Sequence, residues 1–286
     1  MNFKKKLKES LKDFLKEEEL SLLPRGFQTL GNIIILKLNQ KLFNKESCIA
    51  KAYLELLPRV RSVYVNRGKI VGAFREPEKI ELIGGKDNPI VEHKEHNVIY
   101  KFDITKLMFS KGNINERRYL ATLVKSGEVI IDMFAGMGYF SLPIAKHSSV
   151  KKIYSIELNP ESYKCLVENI RINHLIDKII PIKGNCKIEV EKLSESGIRA
   201  DRVIMGVFPA PKDYIKKALI LVKDKGTMFH YEGVVEKDNF SVLFKGFNEI
   251  AFKEGYNCEL KSHRTVKSYG PHLFHVVLDI LCLKFR

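Results

Sequence analysis

The sequence lacks several features that would place it in common protein classes. No stretch approaches 18 consecutive apolar residues, so we expect no helix that crosses a membrane. No glycine-lysine pair is followed by serine or threonine, which excludes the phosphate-binding loop of nucleoside triphosphatases. Internal repeats, low-complexity tracts and the composition of a disordered chain are also missing. These absences leave a globular protein with an ordinary packed core.

Cysteines are few and scattered, at positions 48, 165, 186, 258 and 282. Their number is odd and no two have the Cys-x-x-Cys spacing, so the sequence predicts neither a zinc site nor a disulfide framework. We therefore expect no metal, and a reducing, cytoplasmic compartment.

Basic residues outnumber acidic ones in a chain long enough for one large or two modest domains. The 286 residues include 49 Lys and Arg against 34 Asp and Glu, a formal net charge of +15. Such an excess favours a polyanionic partner, and nucleic acid is the usual one. The alternative is an ordinary lysine-rich surface, because many of the lysines alternate with glutamates.

A glycine turn gives the clearest chemical signal. Val129–Asp132 predicts a short buried strand, Ala135–Gly138 a tight turn, and a helix begins at Ser141. This arrangement is typical of the nucleotide-binding crevice of an open α/β sheet, where glycine lets the backbone approach a ligand closely. Glu157 ends the next apolar stretch about 20 residues later, at the distance expected of a ribose-binding acid.

Strands and helices alternate after Glu157, beginning with a strong helix start at Asn159-Pro160. The fold class is therefore α/β, with a mostly parallel doubly wound sheet. A closing hairpin of Glu259–Thr265 and Leu273–Leu283 is expected to add an antiparallel edge.

The first hundred residues predict a smaller α+β domain. One amphipathic helix is expected over residues 1–20, with one apolar face made of Phe3, Leu7, Leu11, Phe14 and Leu15. Short strands joined by Gly, Pro and Asn turns follow. We place the domains at residues 1–105 and 106–286.

Basic residues collect at the turns of this first domain. Arg61, Arg67 and Arg75 lie on short loops near Tyr64 and Phe74. Arginine beside aromatic rings suits phosphate contacts and base stacking, so these three are candidate RNA-binding residues. Ordinary surface charge explains them equally well.

A wider set of motifs resembles the enzymes that modify the purine 3′ of the tRNA anticodon. The shared residues are Phe74-Arg75-x-Pro77-Glu78, Phe109-Ser110, Glu116-Arg117, Asp132–Phe140, Glu157-x-Asn159-Pro160 and Val266-Lys267-Ser268-Tyr269-x-Pro271. This family has two branches, the guanine N1-methyltransferases and the aminocarboxypropyltransferases of the wybutosine pathway. The resemblance runs from about Phe74 to the C-terminus and covers most of the chain.

The resemblance implies a class I S-adenosylmethionine-dependent, Rossmann-like domain that acts on tRNA. S-adenosylmethionine would be the group donor, and the partner would be the anticodon region of tRNA-Phe, with no membrane and a monomeric protein. Ser110 and Arg117 would lie at the methionine end of the cofactor, and Glu157 at its ribose. The other implied cofactor-binding residues are Phe134, Gly136, Gly138, Leu158, Asn185 and Cys186.

Three departures from the methyltransferase pattern favour the wybutosine branch. Gly206-Val207-Phe208 replaces an Asn-Leu-Pro whose asparagine handles the target guanine, and Asn185 replaces an acid near the adenine. The larger N-terminal extension of many methyltransferases is also missing. We therefore expect transfer of the 3-amino-3-carboxypropyl group to 4-demethylwyosine. The alternatives are guanine N1-methylation and, against the intact Gly136, Gly138 and Glu157, a non-catalytic RNA-binding protein.

Two titratable residues have an open role. Glu116 occupies the place of the methyltransferase general base and is a candidate to accept a proton from the target base. The alternative is a structural carboxylate at a helix start. His230 ends a predicted strand near the crevice, and we expect a hydrogen-bonded core histidine there.

Overall fold

A computed structural model describes residues 2–72, 76–237 and 239–285, and the chain forms two compact units. The first unit contains Met1–Glu95 and Ile99–Phe109, and the second contains His96–Val98 and Ser110–Arg286. None of the described helices is long and apolar enough to cross a bilayer.

The N-terminal part of the chain has a small sheet covered by helices. Its helices are α1 (Phe3–Leu11), α2 (Glu17–Ser21) and α3 (Glu46–Leu56), and its strands are β1 (Gln28–Leu30), β2 (Ile33–Leu36), β3 (Ser62–Asn66), β4 (Ile70–Val71), β5 (Glu76–Pro77), β6 (Ile80–Gly85), β7 (Ile90–Glu95) and β8 (Val98–Asp103). Four strands form a sheet in the order β1-β2-β3-β6, and β4-β5 and β7-β8 form two-stranded ribbons. Leucines and isoleucines of α1, α3 and the sheet make one apolar core.

The single N-terminal helix predicted over residues 1–20 is wrong, because two shorter helices replace it. The chain turns after Leu11, and a second helix starts beyond Lys16, whose backbone N–H donates to the Glu19 carboxylate at 2.8 Å. This turn changes the helical phase, so Leu15 is buried whereas Phe14 is 61% exposed. Strand β1 was not predicted. One of the short strands predicted for this domain covers Lys69–Ala73. Its last residue lies outside the described residues, as do Phe74 and Arg75.

The second unit is built on a seven-stranded sheet. Its strands are β9 (Val129–Asp132), β10 (Lys152–Glu157), β11 (Ile179–Lys183), β12 (Arg202–Met205), β13 (Thr227–Glu236), β14 (Tyr256–Gly270) and β15 (Leu273–Lys284). The helices are α4 (Ile114–Leu123), α5 (Ser141–His147), α6 (Pro160–Ile172), α7 (Cys186–Glu195), α8 (Ile215–Leu219) and α9 (Phe240–Lys253). The strand order is β11-β10-β9-β12-β13-β15-β14, parallel up to β13 and antiparallel beyond it. The predicted doubly wound sheet with an antiparallel edge is confirmed.

The central strands are buried on both faces, as their continuous apolar sequences indicate. Ile130 and Ile131 of β9 and Val203 of β12 have no exposed surface. On one face, Phe247 of α9 packs its ring edge-on against Phe229 and Tyr231 of β13, with ring centroids 5.5 and 5.1 Å away.

Helix α6 begins where the sequence predicts. The Asn159 side chain accepts hydrogen bonds from the backbone N–H groups of Glu161 and Ser162, and Pro160 occupies the first helical position. Helix α7 was not predicted. Its buried side chains are only Cys186, Val190 and Leu193, so its apolar face is too narrow to stand out in the sequence.

The closing hairpin β14–β15 is longer than predicted and carries a disulfide. Cys258 and Cys282 are directly opposite in the strand register, with Cα atoms 4.3 Å apart. The expectation that no cysteines would pair is therefore wrong for these two. Their separation of 24 residues gives no local signal, because only the register of the hairpin brings them together. The β14–β15 pairing also shifts register at three places, between Leu260 and Ser262, Thr265 and Lys267, and Ser268 and Gly270.

Candidate active site

The glycine turn lies at the carboxyl edge of the parallel sheet. Strand β9 has β10 on one side and β12 on the other, so the strand order reverses at the point where α/β sheets bind ligands. Gly136 and Gly138 have φ of +57° and +98°, a region that favours glycine. A Cβ on Gly138 would lie 2.7 Å from the Leu142 side chain, so the glycine also allows α5 to pack closely.

Asp132 holds the glycine turn in place through its hydrogen bonds. Its carboxyl group is fully buried and accepts a 2.7 Å hydrogen bond from the Ser141 hydroxyl, which in turn accepts one from Ser155. Burial raises the pKa of Asp132 to about 7. The carboxyl group therefore joins the end of β9 to the start of α5.

Glu157 is held with its carboxylate beside the glycine turn. Its oxygens accept hydrogen bonds from the backbone N–H groups of Gly136 at 2.6 Å and Asn159 at 2.7 Å. Burial raises the pKa of this carboxyl above its ordinary value, although the backbone donors act in the opposite direction. Each oxygen keeps a second lone pair that can accept from a diol. Leu158, half exposed, follows it at the rim.

Ser110 and Arg117, predicted at one end of the cofactor, are brought together with Lys267. The buried Arg117 guanidinium donates to the Ser110 carbonyl at 2.9 Å and lies 5.7 Å from the Tyr139 ring centroid. Lys267 Nζ donates to the Ser110 hydroxyl at 3.1 Å. A Cβ on Gly112 would lie 2.6 Å from the Lys267 side chain, so Lys267 packs directly against this glycine. Two cations therefore lie beside Ser110, an arrangement that suits a carboxylate.

Asn113, which follows Gly112 in the chain, adds a hydrogen-bond acceptor. It is the residue before α4, yet its side chain makes no capping hydrogen bond. Its Oδ1 atom is buried without a hydrogen-bond partner among the described residues. A buried acceptor of this kind is costly unless a donor reaches it, and the ammonium group of an amino acid would be such a donor.

Glu116, the candidate base, makes a two-pronged ion pair with Arg264. Arg264 donates from Nε to Oε2 at 2.8 Å and from Nη2 to Oε1 at 2.5 Å, and Glu116 is buried. Both carboxylate oxygens are thus engaged by one guanidinium, which supports the structural alternative for Glu116.

The ion pair continues into a buried polar network on the same side of the sheet. Arg264 also donates to Asp279 Oδ2 at 2.7 Å, and His230 Nδ1 bonds Asp279 Oδ1 at 2.7 Å. Arg202 donates to His230 Nε2 at 3.1 Å and pairs with Glu128. Because arginine can only donate, Nε2 accepts and the hydrogen lies on Nδ1. Burial lowers the pKa of His230, in agreement with a neutral ring. His230 is a hydrogen-bonded core histidine, as predicted.

The residues predicted near the adenine lie at the start of α7. The Asn185 side chain accepts from the Lys187 backbone N–H at 3.0 Å, so an adenine amino group would use the second lone pair of the same oxygen. Cys186 is buried, and burial raises the pKa of its thiol to about 12. It therefore contributes apolar surface and not a thiolate.

The loop after β12 has no space for a side chain at its first position. A Cβ on Gly206 would lie 2.8 Å from a Phe140 ring carbon and 3.2 Å from Glu232 Oε1. Further along the loop, the Phe208 ring is 4.5 Å from the His275 ring and 5.8 Å from the Tyr269 ring, measured between centroids. The Gly206 position therefore adjoins aromatic rings and one carboxylate.

The basic residues predicted to bind RNA differ in their surroundings. Arg61 is exposed. The Arg67 side chain is 18% exposed, pairs with Glu46 at 2.6 Å and with Glu81, and stacks over Phe43. Its charge is thus balanced inside its own unit, so it is less available to phosphate than Arg61. Arg75 lies outside the described residues.

Two family models match the chain, one after the other. Residues 7–88 match the TYW2 N-terminal domain, and residues 91–260 match the TRM5/TYW2 methyltransferase domain. The second match alone covers more than half of the chain. The chain belongs to the TRM5/TYW2 methyltransferase family.

Individual members of the TRM5/TYW2 family are similar to this chain along most of its length. It is 36% identical to the tRNA(Phe) (4-demethylwyosine(37)-C(7)) aminocarboxypropyltransferase of Pyrococcus horikoshii over 98% of both chains. It is 29% identical to the tRNA (guanine(37)-N(1))-methyltransferase Trm5b of Pyrococcus abyssi, over 92% of this chain and 76% of that protein. The crystal structure of P. horikoshii TYW2 with MeSAdo superposes with a TM-score of 0.82, at 32% identity, over 99% of this chain and 100% of that chain.

Several residues at the TRM5/TYW2 site were not predicted. Asn113 was not among the candidate site residues, and Lys267 appeared only as part of a motif. Arg264, Glu232 and His275 had no assigned place. Their positions depend on how β13, β14 and β15 pair, and a pairing register is not visible in any one segment. For Glu232 and His275, the available signal was the presence of polar residues in the mostly apolar strands β13 and β15.

Proposed function

We propose that this protein transfers the 3-amino-3-carboxypropyl group of S-adenosylmethionine to 4-demethylwyosine next to the anticodon of tRNA-Phe. The observation that carries the proposal is Gly206. The Cβ of a methyltransferase-like asparagine would overlap the Phe140 ring at 2.8 Å and crowd Glu232 Oε1 at 3.2 Å. A guanine would therefore lose its amide partner, whereas a flatter and less polar tricyclic base has less need of one. The name and the matching length of the P. horikoshii relative support the same choice.

The residues of the crevice fit S-adenosylmethionine. Glu157 would accept from the ribose diol, and Asn185 and Cys186 would flank the adenine. The cations of Arg117 and Lys267 suit the methionine carboxylate, and Asn113 Oδ1 offers an acceptor for its ammonium group. When bound, the sulfonium supplies three electrophilic carbons, of which one must be presented to the target base. A firm hold on the amino acid arm favours presentation of the side-chain carbon.

The aromatic rings beyond Gly206 suit a flat heterocycle. Phe208 and Tyr269 come from different segments and place their rings 5.8 Å apart. Bases that leave a helical stack commonly rest on such rings, where each contributes roughly 1–3 kcal/mol.

We also infer a monomer that acts on tRNA in the cytoplasm. The excess positive charge supports a nucleic-acid partner, and tRNA is named for the relatives of both branches.

Product analysis tests the proposal. The purified protein is incubated with S-adenosylmethionine and tRNA that carries either 4-demethylwyosine or unmodified guanine, and the small products and digested nucleosides are weighed. We expect methylthioadenosine, and only with the tricyclic base. S-adenosylhomocysteine formed with unmodified guanine would identify a methyltransferase, and cofactor binding without either product would identify a binding protein.

A further inference from the structure

Glu232 and His275 form a buried pair at the carboxyl edge of the sheet. Val234 is directly opposite His275 in the β13–β15 register, so Glu232, two residues earlier, lies on the same face as His275. His275 Nε2 and Glu232 Oε2 are 2.9 Å apart, and the two side chains are 0% and 3% exposed. A carboxylate oxygen only accepts, so Nε2–H donates.

The second oxygen of Glu232, Oε1, does not take part in this hydrogen bond. Within the described ranges, His275 is the sole hydrogen-bond partner of this carboxylate. Oε1 points toward Gly206, because a Cβ there would lie only 3.2 Å from it. Strand β12 ends at Met205, opposite Tyr231, so Gly206 and Glu232 both lie at the edge where α/β sheets bind ligands.

In the other carboxyl groups of the crevice, both oxygens already accept at least one hydrogen bond. Asp132 accepts from Ser141 and from the Phe134 backbone. Glu157 holds two backbone N–H groups, and both oxygens of Glu116 are paired with Arg264. Glu232 is the carboxylate with an unused acceptor next to the Gly206–Phe208 loop.

We propose that Glu232, held by His275, accepts the proton that the target base loses during transfer. This inference rests on the proposed function. A ring carbon forms a bond to the side-chain carbon of the methionine arm, and the sulfur–carbon bond breaks with its electron pair left on sulfur. The ring carbon then releases its proton to Glu232 Oε1, which restores the aromatic ring. His275 is the positioning residue, because its hydrogen bond fixes Oε2 and leaves Oε1 toward the loop.

The absence of a side chain at Gly206 belongs to the same arrangement. The Cβ of any larger residue would lie 3.2 Å from Oε1 and 2.8 Å from Phe140, so it would crowd the unpaired oxygen. Glycine at position 206 thus provides no amide to bind guanine, and it also leaves Glu232 Oε1 uncovered as a proton acceptor.

The test is Glu232→Gln, which keeps the shape of the side chain and removes its basicity. Single-turnover formation of methylthioadenosine is measured on tRNA carrying 4-demethylwyosine, together with S-adenosylmethionine affinity, tRNA affinity and melting temperature. We expect the rate to fall about 100-fold or more while both affinities stay unchanged. Glu236→Gln makes the same chemical change at an exposed position of the same strand and should react like wild type.

The outcomes separate this inference from the proposed function. A wild-type rate in Glu232→Gln, with methylthioadenosine as product, overturns the role of Glu232 and leaves the proposed function intact. No methylthioadenosine from the wild-type protein overturns the proposed function itself. If Glu232→Gln does not fold, Glu232→Asp is measured instead, because it keeps the charge but withdraws Oε1. An unchanged rate in that variant also contradicts the inference.

For His275, the conservative variant is His275→Gln, which still offers an N–H donor. A positioning role predicts that His275→Gln keeps most of the maximal rate, whereas His275→Leu, which has no donor, lowers it with unchanged KM for tRNA and causes no further loss when combined with Glu232→Gln. Additive losses in the double variant would show that the two residues do not act as a unit.

Discussion

Asp132 illustrates how a single buried carboxyl makes stability depend on pH. Burial raises its pKa from 3.8 to about 7, so the folded protein keeps a proton that the unfolded chain has lost between those pH values. The stabilisation is complete below the unfolded pKa and is lost as the pH rises toward 7.

We therefore expect Asp132→Asn to gain stability relative to wild type at pH 8, by roughly 1.4 kcal/mol for each pH unit that separates the folded and unfolded pKa values. At pH 4 the difference should shrink, because both proteins then carry a neutral group. Urea unfolding of both proteins at the two pH values measures this difference in stability. A difference that does not depend on pH would show that Asp132 is ionised in the folded protein.

Glu157 gives a second prediction at the scale of one residue. Its carboxylate accepts a hydrogen bond from the backbone N–H of Gly136 and would also accept hydrogen bonds from the ribose. Glu157→Gln should therefore weaken S-adenosylmethionine binding by roughly tenfold or more. Calorimetric titration measures the affinity, and the exposed Glu195→Gln serves as the control. Unchanged affinity would contradict the assignment of Glu157 to the ribose.

At the scale of the element, the buried network ties α4 to β13, β14 and β15. Arg264 pairs with Glu116 of α4 and with Asp279 of β15. Removal of one member of a buried ion pair leaves the partner charge uncompensated.

Arg264→Met should therefore destabilise the protein by roughly 3–5 kcal/mol. The double variant Arg264→Met with Glu116→Met should lose less than the sum of the two single variants, because it removes both charges of one pair. Denaturant unfolding of the three variants measures the coupling. The exposed Arg199→Met is the control, and strict additivity would show that the pair contributes no coupling energy.

Sequence reasoning succeeded for elements whose signal is local. Strand β9 was predicted at its observed bounds, because an apolar run ends there at an acid and a glycine turn. The start of α6 was found from its cap and its proline. Helix α7 was missed because its apolar face is narrow, and the break after Leu11 was missed because the local cap formed by Lys16 and Glu19 was not recognised. The contacts of Lys267, Arg264, Glu232 and His275 were missed for a different reason, since they depend on strand pairing between distant segments.

At the scale of the whole molecule, the positive charge should matter for tRNA. Arg59 and Arg61 are exposed neighbours at a turn of the first unit, whereas Arg67 is paired with Glu46 and Glu81. We expect Arg59→Ala with Arg61→Ala to reduce the salt dependence of tRNA affinity, with the slope falling by roughly one for each phosphate that the protein no longer neutralises.

Arg67→Ala provides the comparison for that measurement. It should lower the melting temperature, because it leaves two carboxylates without their cation, and should leave the salt slope nearly unchanged. The opposite pattern, a flatter slope from Arg67→Ala alone, would return Arg67 to the phosphate-binding surface.

The two edges of the seven-stranded sheet affect whether strands of different molecules can pair and cause aggregation. One edge is β11, only five residues long and containing Pro181, which has no N–H to donate. The other is β14, whose pairing with β15 shifts register three times along its length. Neither edge offers a long, regular row of backbone groups to a strand from another molecule. Polymerisation through the edges of this seven-stranded sheet is therefore disfavoured.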